Sequence, residues 1–148
     1  MKKFSFSLQK LLDFKEQMLE SERNILTEMN AVLSTLQSEL SGLYAEHESK
    51  TLDLRERTAY GITPPELAAH KNYLLSVDQA IRDKLRQIEL QQEAIDRQTT
   101  KVMEAKREVS TIEKLREKKL EEYNYKDMKE QELFIEEFVT TSKAMAAI

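Results

Sequence analysis

The stretch Tyr60-Gly61-Ile62-Thr63-Pro64-Pro65-Glu66-Leu67 decides the fold. Proline inside a helix removes a hydrogen bond and clashes with the preceding turn, at a cost of about 3 kcal/mol. The chain's 2 prolines are these neighbours, so the one obligatory break lies here. Gly61 can take a positive φ and close the helix before it, as a C′ glycine does. Thr63 stands as N-cap of the next helix, Pro64 falls at N1 where its missing N–H matters least, and Glu66 at N3 completes a capping box. Ile62 and Leu67 occupy the N′ and N4 positions of a hydrophobic staple. The expectation is one coiled-coil hairpin domain over residues 1–148, with a first helix over about 6–58, a turn over about 59–63 and a second helix over about 64–140. The order of the tail after 140 is left open.

Outward from the turn, both arms carry apolar residues in a 4,3 spacing. The first reads Leu8, Leu12, Lys15, Leu19, Glu22, Leu26, Met29, Leu33, Leu36, Leu40, Leu43, His47, Lys50 and Leu54. The second reads Leu67, His70, Leu74, Val77, Ile81, Lys84, Ile88, Gln91, Ile95, Gln98, Val102, Ala105, Val109, Ile112 and Arg116. Sustained heptads favour a left-handed supercoil, and a short connection makes the two helices antiparallel neighbours. Folding the chain at the turn so that Leu43 meets Ile81 also sets Leu36 on Ile88, Met29 on Ile95, Leu19 on Ala105 and Leu12 on Ile112. Each polar seam residue then faces an apolar one, and its stem covers that neighbour while its head reaches water. The fold class is therefore all-α, two long helices in an antiparallel coiled-coil hairpin.

Composition agrees and narrows the function. Charged residues make up 34% of the chain, and only 2 glycines and 2 prolines occur, which suits narrow apolar stripes rather than a thick core. The net charge of −4 is spread as interleaved acids and bases, with no basic face to hold nucleic acid. No run of about 18 apolar residues could span a bilayer, and Met1-Lys-Lys-Phe-Ser-Phe-Ser7 leads into an amphipathic segment. A cytosolic protein without membrane insertion is expected. Cysteine is absent, which removes disulfides and thiolate chemistry. His47 and His70 sit on seam positions without a converging ligand set, the acidic pairs lie on solvated helix faces, and Gly42 and Gly61 are isolated. Neither a metal site, a cofactor site nor a catalytic constellation is expected.

Three features exceed what a bare hairpin needs. Leu11, Met18, Ile25 and Val32 form a second apolar column beside the seam, which stops where Glu39 and Glu46 take the same heptad position. It either thickens the two-helix contact or awaits a third element. With the first helix starting near Leu8, the seam runs out near residue 116, and the following segment should overhang with Leu120, Tyr123, Met128, Leu133, Phe134, Ile135, Phe138 and Val139. Self-association or docking onto another protein would cover it. Near the turn, Tyr73, Val77 and Ala80 form an i, i+4, i+7 stripe that either meets a partner or packs against Tyr44 or Ala45.

The run Phe4-Ser-Phe-Ser-Leu-Gln-Lys-Leu-Leu-Asp-Phe-Lys-Glu16 resembles the aromatic-x-aromatic-x-Leu opening of the FliJ proteins of the bacterial flagellar type III export apparatus. Ile112-Glu-Lys-Leu-Arg-Glu-Lys-Lys-Leu-Glu-Glu-Tyr123, followed by Lys129-Glu-Gln-Glu132 and Glu136-Glu137, resembles the C-terminal part of that family, whose members often show Asp-Glu at the last pair. The resemblance covers nearly the whole chain. It implies a hairpin similar to the central γ stalk of rotary ATPases, whose paired terminal helices enter the ATPase ring. It implies as partners the export ATPase FliI with its regulator FliH, the cytoplasmic domain of the export-gate protein FlhA, and the export chaperones with their cargo. The expected place is the cytoplasm, peripherally at the inner membrane through the export apparatus. The family's gate contact aligns with Tyr73, Val77, Ala80 and Lys84, where Lys84 departs from the residue type common in the family and Val77 is also a seam residue. The end holding Leu8, Leu11, Leu12, Met18, Leu133, Phe134 and Phe138 is expected to enter the ring. The chain would then couple ATPase assembly to the gate without chemistry of its own. A generic holdase or tether, and a self-assembling coiled coil, are the competing readings.

Overall fold

The computed structural model describes residues 2–147. It consists of α1 (Gln9–Tyr60, 52 residues) and α2 (Pro64–Ala146, 83 residues), with no strand among the described residues. The break falls where the double proline puts it. Gly61 takes φ +102°, outside the reach of most side chains, and its N–H donates to the Thr58 carbonyl at 3.3 Å. Thr63 then caps α2: its Oγ1 accepts from the Glu66 N–H at 3.4 Å, and its carbonyl accepts from the Leu67 N–H at 3.0 Å. Among the described residues only the Thr63 half of the expected capping box forms, because the exposed Glu66 side chain does not turn back.

Two boundaries differ from the expected ones. Helix α1 begins at Gln9 rather than near 6, after a turn in which the Gln9 N–H donates to the Phe6 carbonyl at 3.1 Å. Serines at 5 and 7 compete for backbone bonds and disfavour helix there. Helix α2 runs on to Ala146 rather than stopping near 140, since no glycine or proline follows Pro65 to end it.

The chain divides into two compact units, Met1–Ser21 with Met103–Ile148, and Glu22–Val102. The second holds the turn, and its core is Val77, Ile81 and Ile95. The first holds both termini, and its core is Leu12, Leu19 and Val109. Every position of the 4,3 spacing on both helices is buried or half-buried. No large side chain among the described residues is withdrawn completely from solvent. A two-stranded seam has one contact face, so each seam side chain keeps a solvent-facing flank.

The polar seam residues behave differently from the expectation that their heads would reach water. In the turn unit the Gln98 amide, 6% exposed, donates to the Glu22 carbonyl at 3.0 Å and to its carboxylate. One heptad away, the Gln91 amide donates to the Met29 carbonyl at 3.0 Å. Lys84 pairs with Glu39, and His47 Nε2 lies 3.0 Å from Asp78 Oδ1. In the terminal unit Lys15 pairs with Glu108 at 2.9 Å, and Arg116 Nε donates to Gln9 Oε1 at 3.0 Å. The stems do cover apolar neighbours, but the heads are close enough to the facing helix to find partners there. A charged or amide tip that is half withdrawn from water gains more from a fixed acceptor than from an incomplete hydration shell.

Candidate partner-binding surfaces

Within the terminal unit, α2 is covered further than the helical register alone predicts. The non-helical residues before Gln9 lie back along it: the Phe4 ring sits 5.5 Å from the Tyr123 ring, with the Arg116 guanidinium 5.5 Å from Phe4. Tyr123 also donates its hydroxyl to the Lys2 carbonyl at 2.5 Å. Leu120 and Tyr123 are therefore half-buried, and the expectation that the overhang starts after 116 is corrected. Phe4 is the anchor that extends the cover. From Met128 to Ala147 every residue is exposed.

That bare stretch is amphipathic. Met128, Phe134, Ile135, Phe138, Val139 and Met145 share one side at helical spacing, with Phe134 70% and Phe138 65% exposed. Leu133, also exposed, falls on the opposite side among the charged residues. Of the other residues expected at this end, Leu11 and Met18 are open to solvent, whereas Leu8 is half-buried and Leu12 is 4% exposed. Leu12 is a core residue and cannot face a partner while the seam is closed. Sequence reasoning passed over Phe14, more than half exposed, because it stands off both the seam and the second column.

In the turn unit the second column continues as exposed Ile25 and Val32, so it does not thicken the contact there. At the same heptad position Glu39 takes the Lys84 ammonium, and Glu46 accepts from the Tyr73 hydroxyl. The stripe Tyr73, Val77, Ala80 and Lys84 is thereby split. Val77, 5% exposed, is core; Lys84 is held by Glu39; Tyr73 is part-exposed beneath Lys50, whose Nζ lies 5.2 Å from the ring centroid. Ala80 is half-buried at a shallow groove shared with Gly42, Leu43 and Glu46. Only Tyr73 and Ala80 offer surface outward. Tyr44 is itself half-exposed.

Among the described residues no group of three or more His, Cys, Asp or Glu is placed to hold a metal ion, and no helix is long and apolar enough to cross a membrane. Both units present exposed apolar side chains.

The comparisons fit such a molecule. The CT670 protein of Chlamydia trachomatis, described as a YscO homolog, superposes with a TM-score of 0.64 at 21% identity, over 87% of this chain and 86% of that one. At that identity the likeness establishes the helical hairpin fold. No curated protein matches the chain. The model of the flagellar FliJ protein family matches residues 4–140, from Phe4 that anchors the N-terminal segment to the apolar side of the bare α2 stretch. A match of that extent means that the chain belongs to the flagellar FliJ family, a family of non-catalytic, structural or chaperone-like components related to type III export.

Proposed function

We propose that this chain is a stalk-like coupling component of the flagellar export apparatus, working at the cytoplasmic face of the inner membrane and contacting the export ATPase FliI, with its regulator FliH, through its terminal unit. The observation that carries this reading is the exposed apolar side of α2 formed by Phe134, Ile135, Phe138 and Val139. A monomer rarely leaves such a stripe uncovered unless a partner takes it, and an amphipathic helix entering an apolar bore is a recurrent mode of docking. Leu11 and Met18 add apolar surface on α1 of the same unit, while Leu8 and Leu12 act indirectly by holding the seam closed. The turn unit would meet the cytoplasmic domain of the gate protein FlhA through Tyr73 and Ala80, with Val77 and Lys84 shaping that surface from behind.

The test is addition of the purified protein to the cognate ATPase. A rise in ring assembly and turnover is expected, and Phe134→Ala with Phe138→Ala should abolish it while leaving helicity intact. No effect of the unaltered protein on either quantity would end the stalk reading. For the gate contact, Tyr73→Asp with Ala80→Asp should abolish capture of the FlhA cytoplasmic domain, and undiminished capture would remove these residues from it. Escort of export chaperones is compatible with the exposed α1 column at Ile25 and Val32. Broad client binding without any ATPase effect would favour a holdase instead.

A further inference from the structure

Beyond Tyr123 the seam register of α2 passes into Lys126, Glu130, Leu133, Glu137 and Thr140, of which only Leu133 is apolar. On the other side of the same helix a second 3,4 spacing opens at Met128, Gln131, Ile135, Phe138, Ser142 and Met145. Phe134 and Val139 flank it, and every one of these residues is exposed. Helices in proteins owe most of their stability to packing of an amphipathic face, and this face lies open.

This second heptad reads nearly the same in both directions. About a point between Glu136 and Glu137, Met128 mirrors Met145, Gln131 mirrors Ser142, Phe134 mirrors Val139 and Ile135 mirrors Phe138. Apolar answers apolar and polar answers polar at every step. An isologous interface requires that self-complementarity, because a two-fold axis across the helix sets each residue level with its mirror position on the partner. We propose that the second heptad is a dimerisation site, on which the same stretch of a second copy lies antiparallel, stripe on stripe, with the two-fold axis between Glu136 and Glu137. Ile135 and Phe138 form its centre, Phe134 and Val139 widen it, and Met128 with Met145 closes each end. Gln131 and Ser142 fall in one layer, where an amide and a hydroxyl satisfy one another and fix the register. At 3.6 residues per turn Glu130, Glu136 and Glu137 stand more than about 100° round the helix from this face and stay in water. The overlap uses only exposed residues, so neither hairpin has to open.

The inference stands apart from the stalk reading, although both use this side of α2, and its experiment contains no ATPase. Sedimentation of the full chain should show a monomer–dimer equilibrium in the micromolar range, and a monomer up to about 100 μM overturns the proposal. Ile135→Asp with Phe138→Asp should weaken the dimer by roughly a hundredfold or more, because it buries carboxylates in an apolar layer, while the melting midpoint of the hairpin is retained. Leu133→Asp, on the opposite side of the helix, should leave the dimer unchanged. Equal weakening by Leu133→Asp, or none by the first variant, overturns the proposal. The chain has no cysteine, so mild oxidation of introduced ones reports the orientation. Gln131→Cys mixed with Ser142→Cys should give a disulfide-linked pair. Neither variant alone should, because in this register each position lies about 16 Å along the axis from its own copy, beyond the reach of a disulfide. Linkage of Gln131→Cys to itself overturns the antiparallel pairing.

Discussion

One heptad position of α1 is used in opposite ways along the helix. In the turn unit it carries Glu39 and Glu46, which reach across to Lys84 and to the Tyr73 hydroxyl. In the terminal unit it carries Leu11 and Met18, and in the part of the turn unit farthest from the turn Ile25 and Val32, all open to solvent. A charge beside the seam finds a complementary group on the facing helix and closes the pair on itself. An apolar side chain there is too far round the helix to enter a two-stranded seam, so it is left for something else. The contrast is sharper still on α2, where Ile81 and Ile95 of the turn unit are core and Ile135 of the terminal unit touches no core at all.

Proline substitution breaks this comparison most severely. Leu36→Pro, in the half-buried seam of the turn unit, should cost about 3 kcal/mol or more and melt most of the helix signal in far-ultraviolet circular dichroism. Ile135→Pro introduces the same residue into an equally regular helix. There it should remove only the signal beyond the break and leave the melting midpoint unchanged, since that stretch packs against nothing in its own chain. An equal loss of midpoint in both would show that the terminal stretch is integral to the fold.

Truncation of a large apolar side chain sharpens the same contrast with a smaller effect. Ile95→Ala removes a core group, 6% exposed, and should lower the free energy of unfolding by about 2–4 kcal/mol in urea titration. Phe138→Ala removes a larger side chain, yet should change stability by less than about 0.5 kcal/mol, because it leaves no cavity.

How far the sequence could be read follows from the same physics. The turn was legible because proline, glycine and a capping threonine act locally, and the seam was legible because a heptad repeat needs only spacing. Tyr73, Val77 and Ala80 illustrate the limit. Val77 was legible as a seam residue and is core, but that Lys84 is taken by Glu39 and the Tyr73 hydroxyl by Glu46 depends on the facing helix. Phe4 was read as part of a motif, not as a packing residue, because its contact with Tyr123 depends on a non-helical segment that carries no periodicity. Gln91 and Gln98 likewise look like tolerated polar seam residues until their amides are seen on the carbonyls of the other helix. Such amides fix register, which no count of apolar positions reveals.

The cap at the turn should respond more mildly. Thr63→Ala leaves the Glu66 N–H without its side-chain acceptor and should cost about 1 kcal/mol, read from the urea midpoint at constant slope. Gly61→Ala, by forcing a β-carbon onto a residue at φ +102°, should cost at least as much. Both losses belong to the turn unit, so hydrogen exchange should rise there before it rises around Tyr123.

The smallest expected effect separates the two seam lysines. Methionine preserves the stem that covers apolar neighbours and deletes only the charge, so Lys84→Met and Lys15→Met report on their ion pairs alone. Lys84 is the more covered, with 19% of its side chain exposed against 30% for Lys15, and its partner Glu39 is also the less exposed of the two carboxylates. Pairs this close to solvent contribute about 0–1 kcal/mol, so Lys84→Met should destabilise by a few tenths and Lys15→Met by less. In about 1 M salt, where the screening length falls to about 3 Å, the two variants should converge. If Lys15→Met were instead the more damaging, the polar closure attributed to the turn unit would belong equally to the unit that holds the termini.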